Sequence, residues 1–248
     1  MFPPAARPLV PTERFVQLAA EAGIVFEPGE VERLGQYLGL LLAASAMVNL
    51  TAVRDPAEAW EKLIFDALTL LPLLAELPDG ARVIDVGSGG GLPGVPLAIV
   101  LPHLRFTLLD ATGKKAAFLR HAAAELGLAN VSVVHDRAET YGQSNGPGGA
   151  GAGRAAFDAV LARAVGKVAM LAELTVPLAA VGGQVLLTKG ERAEEELAEA
   201  RKALHALCVS VGGVIQTPTG RIVVLDKSRP TPGKYPRASG EPKRKPLG

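Results

Sequence analysis

The sequence predicts an α/β fold in which a Rossmann-like, mostly parallel β-sheet is covered by helices and preceded by a helical subdomain. Three observations support this prediction. Residues 1 to about 78 have helical periodicity and no strand pattern, and from Arg82 short apolar runs alternate with amphipathic segments. The last two strand-like runs are joined only by a short connection around 216–220, so they should pair antiparallel and close an otherwise parallel sheet.

The helical subdomain is expected over residues 1–78. Apolar residues recur at helical spacing in 12–22 and again from Val31 to Leu42. A third helix should begin at Asp55, whose carboxylate can cap it, and Pro56 suits its first turn. Three helices with no sheet of their own predict an accessory subdomain and not an independent fold.

Residues 79–230 should form the sheet and the helices that cover both of its faces, because parallel strands need right-handed crossovers. The predicted strands are Arg82–Val86, Arg105–Asp110, Val131–His135, Phe157–Ala162, Gln184–Lys189, Val209–Val214 and Arg221–Leu225. The predicted helices are Val95–Leu101, Lys114–Leu126, Val168–Val181 and Ala193–Leu207. The glycine-rich stretch 143–153 has no core-forming residues and is expected to be a mobile loop.

Composition excludes several classes of protein. The single cysteine, Cys208, allows no internal disulfide and no thiolate-rich metal site, and the four histidines lack ligand spacing, so no metal is expected. The longest apolar stretch, Leu38–Val48, is shorter than the roughly 20 residues of a membrane span. No secretory signal is visible, so we expect a soluble, cytoplasmic protein that does not bind membranes. We also expect the protein to be a monomer.

Charge is distributed unevenly along the chain. Residues 221–248 hold eight Lys and Arg against two acidic residues, which gives +6 and leaves −5 for residues 1–220 of a total of +1. A basic, proline-rich segment at 231–248 is therefore predicted as a separate tail. It is interpreted either as a contact for a polyanion or as a solvated segment that aids solubility, and charge alone does not choose between them.

The clearest motif is a glycine-rich turn directly after the first predicted strand, Val83-Ile84-Asp85-Val86-Gly87-Ser88-Gly89-Gly90-Gly91. Glycines permit positive φ and let a ligand lie against bare backbone. Ligands of doubly wound sheets bind at the carboxyl ends of the strands, where this turn falls. We therefore predict a ligand site at the turn.

The surroundings of the turn favour S-adenosylmethionine over a dinucleotide. Residues 89–94 formally match G-x-G-x-x-G, but Pro93 removes a backbone donor where a pyrophosphate would need one. Asp85 would repel a pyrophosphate, whereas its carboxylate suits the ammonium and sulfonium of S-adenosylmethionine. An antiparallel ending on such a sheet is also what class I methyltransferase folds add.

Two further segments complete the predicted donor site. Asp110 ends the second strand, where an acidic side chain can accept both ribose hydroxyls. Asp136-Arg137-Ala138-Glu139 follows the third strand at the level of an adenine, where Ala138 leaves space for the ring and Glu139 can read its edge.

The sequence lacks residues that several kinds of methyl transfer require, and this narrows the set of possible target atoms. The Asn/Asp-Pro-Pro-aromatic loop used for exocyclic amines is replaced by Leu161-Ala162-Arg163-Ala164-Val165, and Cys208 lies far from the place of a nucleophile. A ring nitrogen such as guanine N7 needs alignment and no base, so no catalytic acid or base is assigned. A ribose 2′-hydroxyl target stays open, because Lys167 and Lys189 could contribute to it.

Beyond these inferences, the chain resembles the RsmG family (glucose-inhibited division protein B) of small-subunit ribosomal RNA guanine-N7 methyltransferases. The resemblance covers most of the chain, although Leu63 stands where the family usually has a histidine. Its landmarks are Asn49-Leu50-Thr51-Ala52, Asp85 to Gly94, Arg137-Ala138-Glu139, Phe157-Asp158, Ala162-Arg163-Ala164, Lys189-Gly190, Lys234-Tyr235-Pro236-Arg237 and Gly240-Glu241-Pro242.

The resemblance implies methylation of one guanine N7 in small-subunit (16S) ribosomal RNA, and it adds Arg163 to the donor site. It implies donor contacts at Gly87, Leu92, Asp110, Ala111, Thr112, Ala138, Glu139 and Arg163, and the glycine-rich turn argued above adds Gly89. The partner is expected to be the RNA or the ribosomal subunit, held chiefly through phosphates. The candidate RNA contacts are Lys189, Arg221, Lys227, Arg229, Lys234 and Arg237.

Three alternatives to this function stay open at the level of sequence. A small-molecule methyltransferase would use the same donor site and leave the basic segment incidental. An oxidoreductase would bind a nicotinamide dinucleotide at the turn and be stabilised by it. A ribosome-assembly factor without donor binding is disfavoured by the intact turn and by Asp85 and Asp110.

Overall fold

The computed structural model describes residue 2 and residues 7–143, 153–163 and 166–247. Most of the expected glycine-rich loop, residues 144–152, lies outside these ranges. Ala164 and Val165 do as well.

Within the described residues, seven strands form one sheet in the order β3-β2-β1-β4-β5-β7-β6. Strands β1 to β5 pair in parallel, and β7 runs antiparallel between β5 and β6. This arrangement confirms the predicted mostly parallel sheet with an antiparallel ending. The strands are β1 (Arg82–Val86), β2 (Arg105–Asp110), β3 (Val131–His135), β4 (Phe157–Arg163), β5 (Ala179–Lys189), β6 (Ser210–Thr217) and β7 (Gly220–Asp226).

The helices lie before the sheet and between its strands. A π-helical segment, Trp60–Phe65, joins α3 to α4, so the predicted third helix contains a local change of pitch. The helices are α1 (Glu13–Glu21), α2 (Glu30–Ser45), α3 (Pro56–Ala59), α4 (Asp66–Leu68), α5 (Leu71–Leu74), α6 (Gly94–Val100), α7 (Gly113–Glu125), α8 (Ala138–Gly142), α9 (Val168–Thr175), α10 (Ala193–Glu199), α11 (Arg201–Leu207) and α12 (Glu241–Arg244).

Two predicted helices differ from the structure. The helix expected over Val168–Val181 ends at Thr175, and β5 begins at Ala179, because Pro177 biases the residue before it away from helical geometry. The helix expected over 193–207 is divided at Ala200 into α10 and α11. The short helix α8 was not predicted.

The N-terminal helices form a layer of the sheet domain. Phe15, Tyr37 and Trp60 are buried in one cluster with Phe118 and Leu119 of α7, on one side of the sheet. A second cluster covers the opposite side with residues of α9 and α11. The helical segment and the sheet therefore share a core, and α2 is brought against the glycine-rich turn.

The basic C-terminal segment packs against the sheet domain. Thr231 and Tyr235 are buried, and the guanidinium of Arg154 donates to the carbonyl oxygens of Thr231 at 2.7 Å and Tyr235 at 2.6 Å. Arg237 of the same segment pairs with the fully buried carboxylate of Glu173 on α9 at 2.6 Å. These contacts fix the segment beside α8 and α9.

No helix of the described residues has the length and apolarity that crossing a membrane requires. No group of three or more His, Cys, Asp or Glu side chains in the described ranges could hold a metal ion.

Candidate functional site

The glycine-rich turn leaves β1 at its carboxyl end and is tied to the neighbouring strand. The backbone N–H groups of Gly87 and Ser88 both donate to the carbonyl oxygen of Leu109 in β2, at 2.8 and 3.1 Å. Gly87 and Gly89 have φ of +73° and +58°, a region that side chains with a Cβ rarely adopt. The turn is therefore a backbone surface that is held open at the sheet edge.

Asp85 lies fully buried beneath this turn. Its Oδ2 accepts from the backbone N–H of Gly94 at 3.1 Å, whereas Oδ1 has no hydrogen-bond partner among the described residues. Burial raises the pKa of the Asp85 carboxyl to about 6, and the neighbouring Ser88 hydroxyl, the Gly94 N–H and the positive charge of Arg163 limit that rise. A buried, unpaired carboxylate oxygen needs a donor, which a cationic ligand or a bound water would provide.

Asp110 holds the other side of the turn through both of its carboxylate oxygens. Oδ2 accepts from the N–H of Gly89 at 2.9 Å, and Oδ1 accepts from the N–H of Thr112 at 2.7 Å. Each oxygen keeps a second lone pair, so two hydroxyl donors can still be accepted. Thr112 stands at the N-cap of α7, but its side chain makes no capping bond.

A cleft of about 240 Å³ opens between the turn, β2, α8 and α9. Glu139 lines it and is nearly buried, and its Oε1 accepts from the backbone N–H of Gly240 in the C-terminal segment at 2.8 Å. The cleft is lined on its apolar side by Val86, Leu109, Met170, Leu171 and Leu174, and elsewhere by Gly87, Ala111, Asp136, Arg137, Ala138, Glu139, Gly240 and Lys243. An apolar slot with a few polar groups suits a planar heterocycle.

Arg163 ends β4, next to β1 in the sheet, and is held by the helical segment. Its Nε donates to Oδ2 of Asp66 at 2.6 Å, and a terminal nitrogen donates to the carbonyl oxygen of Lys62 in the π-helical turn at 2.8 Å. Two other carboxylates are engaged elsewhere: Asp158 accepts from the backbone N–H of Arg82, and Glu173 pairs with Arg237.

Tyr37 joins the helical segment to the turn. Its hydroxyl, buried on α2, donates to the carbonyl oxygen of Gly90 at 2.7 Å. Burial, with a smaller contribution from the charge of Asp85, raises the pKa of Tyr37 well above its ordinary value, so the hydroxyl stays a donor. Sequence reasoning missed this residue, although a tyrosine on the apolar face of a predicted helix was a signal for a buried polar partner.

The structure brings the predicted donor residues to one sheet edge. Gly87, Ala111, Ala138 and Glu139 line the cleft, and Gly89 and Asp110 are bonded to each other beside it. Leu92 packs in the core below the turn. Their role as donor contacts stays a prediction. The lining residues that sequence reasoning missed are Met170, Leu171, Leu174, Gly240 and Lys243.

The predicted RNA contacts divide into two groups. Arg229 and Lys234 are exposed, and the Lys234 ammonium lies 5.2 Å from the ring centre of Tyr235. Lys189, Arg221 and Arg237 are engaged by Glu196, Glu191 and Glu173.

Lys227 was predicted as an RNA contact, but its position in the fold does not fit that role. Its side chain is buried, and its ammonium donates to the carbonyl oxygens of Val176 at 2.8 Å and Ala179 at 2.5 Å. It stabilises the turn between α9 and β5 and is not available to RNA in this structure. Its exposure had been inferred from the basic composition of the segment, which does not reveal such internal acceptors.

These groups fit S-adenosylmethionine. The unpaired Oδ1 of Asp85 can accept from the ammonium, the free lone pairs of Asp110 can accept from ribose hydroxyls, and the apolar slot can take the adenine. The fold and this site define a class I S-adenosylmethionine-dependent methyltransferase.

Solved structures of other proteins share this fold. At the level of fold, the chain is similar to a SAM-dependent methyltransferase from Aquifex aeolicus, with a TM-score of 0.51, 19% identity, and coverage of 69% of this chain and 92% of that one. It is also similar to a protein from Corynebacterium glutamicum, with a TM-score of 0.56, 13% identity, and coverage of 87% and 97%.

Closer relatives identify the family. A protein-family model described as GidB, rRNA small subunit methyltransferase G, matches residues 30–219 of the chain. The chain is 51% identical over 233 residues to the ribosomal RNA small subunit methyltransferase G of Sorangium cellulosum (strain So ce56), covering 94% of this chain and 95% of that protein. The protein of the same name from Leuconostoc citreum (strain KM20) is 38% identical over 245 residues, covering 95% and 98%. The chain belongs to the rRNA small subunit methyltransferase G family, which confirms the resemblance.

Proposed function

We propose that this protein transfers a methyl group from S-adenosylmethionine to N7 of a guanine in small-subunit (16S) ribosomal RNA. The observation that carries the proposal is the pair of carboxylates, Asp85 and Asp110, held on either side of an open glycine turn at the carboxyl edge of the sheet. Membership of the family supports the RNA substrate. The same proposal includes a monomeric protein that acts in the cytoplasm. Its partner is either naked RNA or an assembled subunit.

The residues of the cleft divide the task of binding the donor. Asp85 accepts from the ammonium through its free oxygen, and Asp110 accepts from the ribose while it keeps Gly89 in place. The apolar side chains of Met170 and Leu174 exclude water from one face of the adenine, and the fixed carboxylate of Glu139 borders its edge. Arg163, anchored by Asp66, supplies positive charge beside Asp85 and favours the ionised carboxylate.

The chain needs no proton acceptor for this reaction. When bound, S-adenosylmethionine supplies an electrophilic methyl group on a sulfonium. Guanine N7 carries a free lone pair at neutral pH, so the new N–C bond forms as the S–C bond breaks, the sulfur keeps the electron pair, and no proton has to move. The task of the protein is to hold both groups in line, and such positioning can supply on the order of 7–11 kcal/mol.

The test is methyl transfer from labelled S-adenosylmethionine to small-subunit particles and to naked small-subunit RNA from cells that lack this protein. We expect label on the RNA, mapped to a guanine N7. The Asp110→Ala variant should lose donor binding and transfer together. Donor binding without transfer to particles or RNA would overturn the ribosomal substrate and favour a small-molecule methyltransferase. Thermal stabilisation by NAD and none by S-adenosylmethionine would overturn the donor assignment.

A further inference from the structure

A second, larger cleft of about 810 Å³ lies at the amino edge of the sheet, opposite the donor site. It is formed by the starts of β1, β2 and β3 together with the first turns of α2. Arg33, Arg82, Arg105 and His103 line it, and no Asp or Glu is among its described lining residues. Strands of five to six residues separate the two edges by about 17–20 Å. The cleft is therefore distinct from the site of methyl transfer.

The guanidinium groups of this cleft lack hydrogen-bonded or ion-paired partners among the described residues. Among the described residues, the guanidinium groups of Arg33, Arg82 and Arg105 make no hydrogen bond or ion pair, and two of the three side chains belong to exposed residues. By contrast, four of the six cations expected to meet RNA are engaged by internal partners. Among the described residues, the amino-edge cleft thus adds three unengaged guanidinium groups to the cations that stay exposed on the C-terminal segment, such as Arg229 and Lys234.

The chemistry of the cleft suits phosphate. Guanidinium groups bind phosphate oxygens through two parallel hydrogen bonds and do so in planar geometry. Three uncompensated arginines around an open cleft are more than one phosphate group needs, and their distribution over the starts of β1 and β2 and over α2 fits successive phosphates of a nucleic-acid backbone.

We propose that this amino-edge cleft is a second RNA-binding surface that holds the phosphate backbone of the substrate away from the target guanine. The inference rests on the proposed function, because it takes the ribosomal RNA as the polyanion. Such contacts position the RNA and contribute to affinity without reading its sequence and without touching the donor site.

The test is the triple variant Arg33→Gln, Arg82→Gln, Arg105→Gln in the full chain. Its affinity for naked small-subunit RNA is measured between low and physiological salt. Each phosphate contact contributes about 0.7 to the slope of log affinity against log salt for single strands, so losing three should lower that slope by about 2. Affinity at low salt should fall at least tenfold. Donor affinity and the melting temperature should stay unchanged.

A control variant separates the site from total charge. Arg14→Gln, Arg201→Gln, Lys202→Gln removes the same charge from exposed positions on α1 and α11 and should leave the salt slope unchanged. An unchanged slope in the amino-edge variant, or an equal loss in the control, would overturn the inference. A loss confined to ribosomal particles, with naked RNA unaffected, would also overturn it, since it would assign the cleft to a protein component.

The outcomes for the two proposals are distinguishable. If the wild-type protein transfers no methyl group to RNA and does not bind it, the proposed function fails before the variant is measured. If the wild type methylates RNA with a salt-dependent affinity and the amino-edge variant behaves identically, the function stands and this inference alone fails.

Discussion

The hydroxyl of Tyr37 and the carbonyl oxygen of Gly90 form a buried hydrogen bond of 2.7 Å that spans 53 positions of the chain. It connects the second helix of the N-terminal layer to the turn that borders the donor cleft. Leu41, one turn further along α2, packs so closely on Gly90 that a Cβ there would lie 2.6 Å from its methyl carbon. The helical layer thus fixes the shape of the donor turn.

Replacing Tyr37 by Phe should therefore weaken both the fold and donor binding. The Gly90 carbonyl would be left buried without a donor, which costs about 1–3 kcal/mol, or a few degrees in melting temperature. We expect a severalfold rise in the dissociation constant for S-adenosylmethionine, measured by calorimetry. Tyr141→Phe removes a half-buried hydroxyl away from the turn and should change neither value. Equal effects of the two substitutions would contradict this link.

Donor affinity should depend on pH through Asp85. The donor ammonium requires the ionised carboxylate, whose pKa burial raises to about 6, so the dissociation constant should rise about tenfold per pH unit below pH 6. Between pH 5 and 7 the donor amino group stays protonated, which isolates the carboxylate. Asp85→Asn should bind weakly at every pH in this range. A wild-type profile as flat as that of the variant would exclude this role.

The raised pKa of Asp85 also affects the stability of the protein without a bound donor. Because the folded-state pKa of Asp85 is raised from 3.8 to about 6, its contribution to stability is complete below about pH 4 and is lost as pH rises through 6. The free energy of unfolding that is lost between these two pH values amounts to about 3 kcal/mol. Chemical denaturation at pH 4.5 and 7.5 should show that Asp85→Asn gains stability relative to wild type as pH rises. The opposite trend would show that the carboxyl is not desolvated in solution.

Arg163 and Asp66 should be energetically coupled. Asp66 is nearly buried and Arg163 is about one-fifth exposed, so removing the guanidinium leaves a largely buried carboxylate unpaired, at a cost of about 2–4 kcal/mol. In a double-mutant cycle of Arg163→Gln and Asp66→Asn, we expect a coupling energy of about 1–3 kcal/mol. If Arg163 also contacts the donor, its substitution raises the donor dissociation constant more than Asp66→Asn does. Equal rises in both variants would assign it a positioning role alone.

Arg237 should be structural and not an RNA contact. Its guanidinium and backbone N–H bind the two oxygens of Glu173, which is fully buried on α9. Arg237→Gln should lower the free energy of unfolding by about 3–5 kcal/mol and weaken donor binding, because Gly240 and Glu139 lose their support. Lys234 lies three residues earlier and is exposed, so Lys234→Gln should change neither the free energy of unfolding nor donor binding. A stable Arg237→Gln protein with reduced RNA binding would restore the role expected from sequence.

Deleting residues 234–248 would not test RNA binding alone. The deletion would remove basic charge, but it would also remove Gly240 and Lys243 from the wall of the donor cleft. We expect the truncated protein to lose donor affinity first. The double substitution Arg229→Gln, Lys234→Gln keeps the wall and reports on electrostatics alone.

The sheet and the turn were predictable because local signals agreed there. Strands β1, β2 and β3 match their predicted bounds, since each is a short apolar run bounded by turn residues. The apolar run after Pro177 was assigned to a helix because periodicity alone does not distinguish a buried strand from a buried helix. Proline was the signal that should have ended the helix earlier.

The partners of charged residues were not predictable. Arg163 and Asp66 are 97 positions apart, and Arg237 and Glu173 are 64 apart. A count of charges gives the sign of a segment but does not show which of its members are neutralised inside the fold, so Lys227 and Arg237 were assigned to RNA. The free arginines of the amino edge were overlooked for the same reason, because they are dispersed among predicted strands and a helix.

The hydrogen bond between Gly240 and Glu139 also sets an order of events during synthesis. The turn at Gly87 emerges from the ribosome long before Gly240, so the apolar slot beside Met170 and Leu174 remains uncovered while the rest of the domain is being made. Contacts between such distant positions form late and slowly. Competence to bind the donor should therefore arrive last, once Gly240 has left the ribosome, and a released chain that ends before Gly240 should form the sheet yet bind the donor weakly.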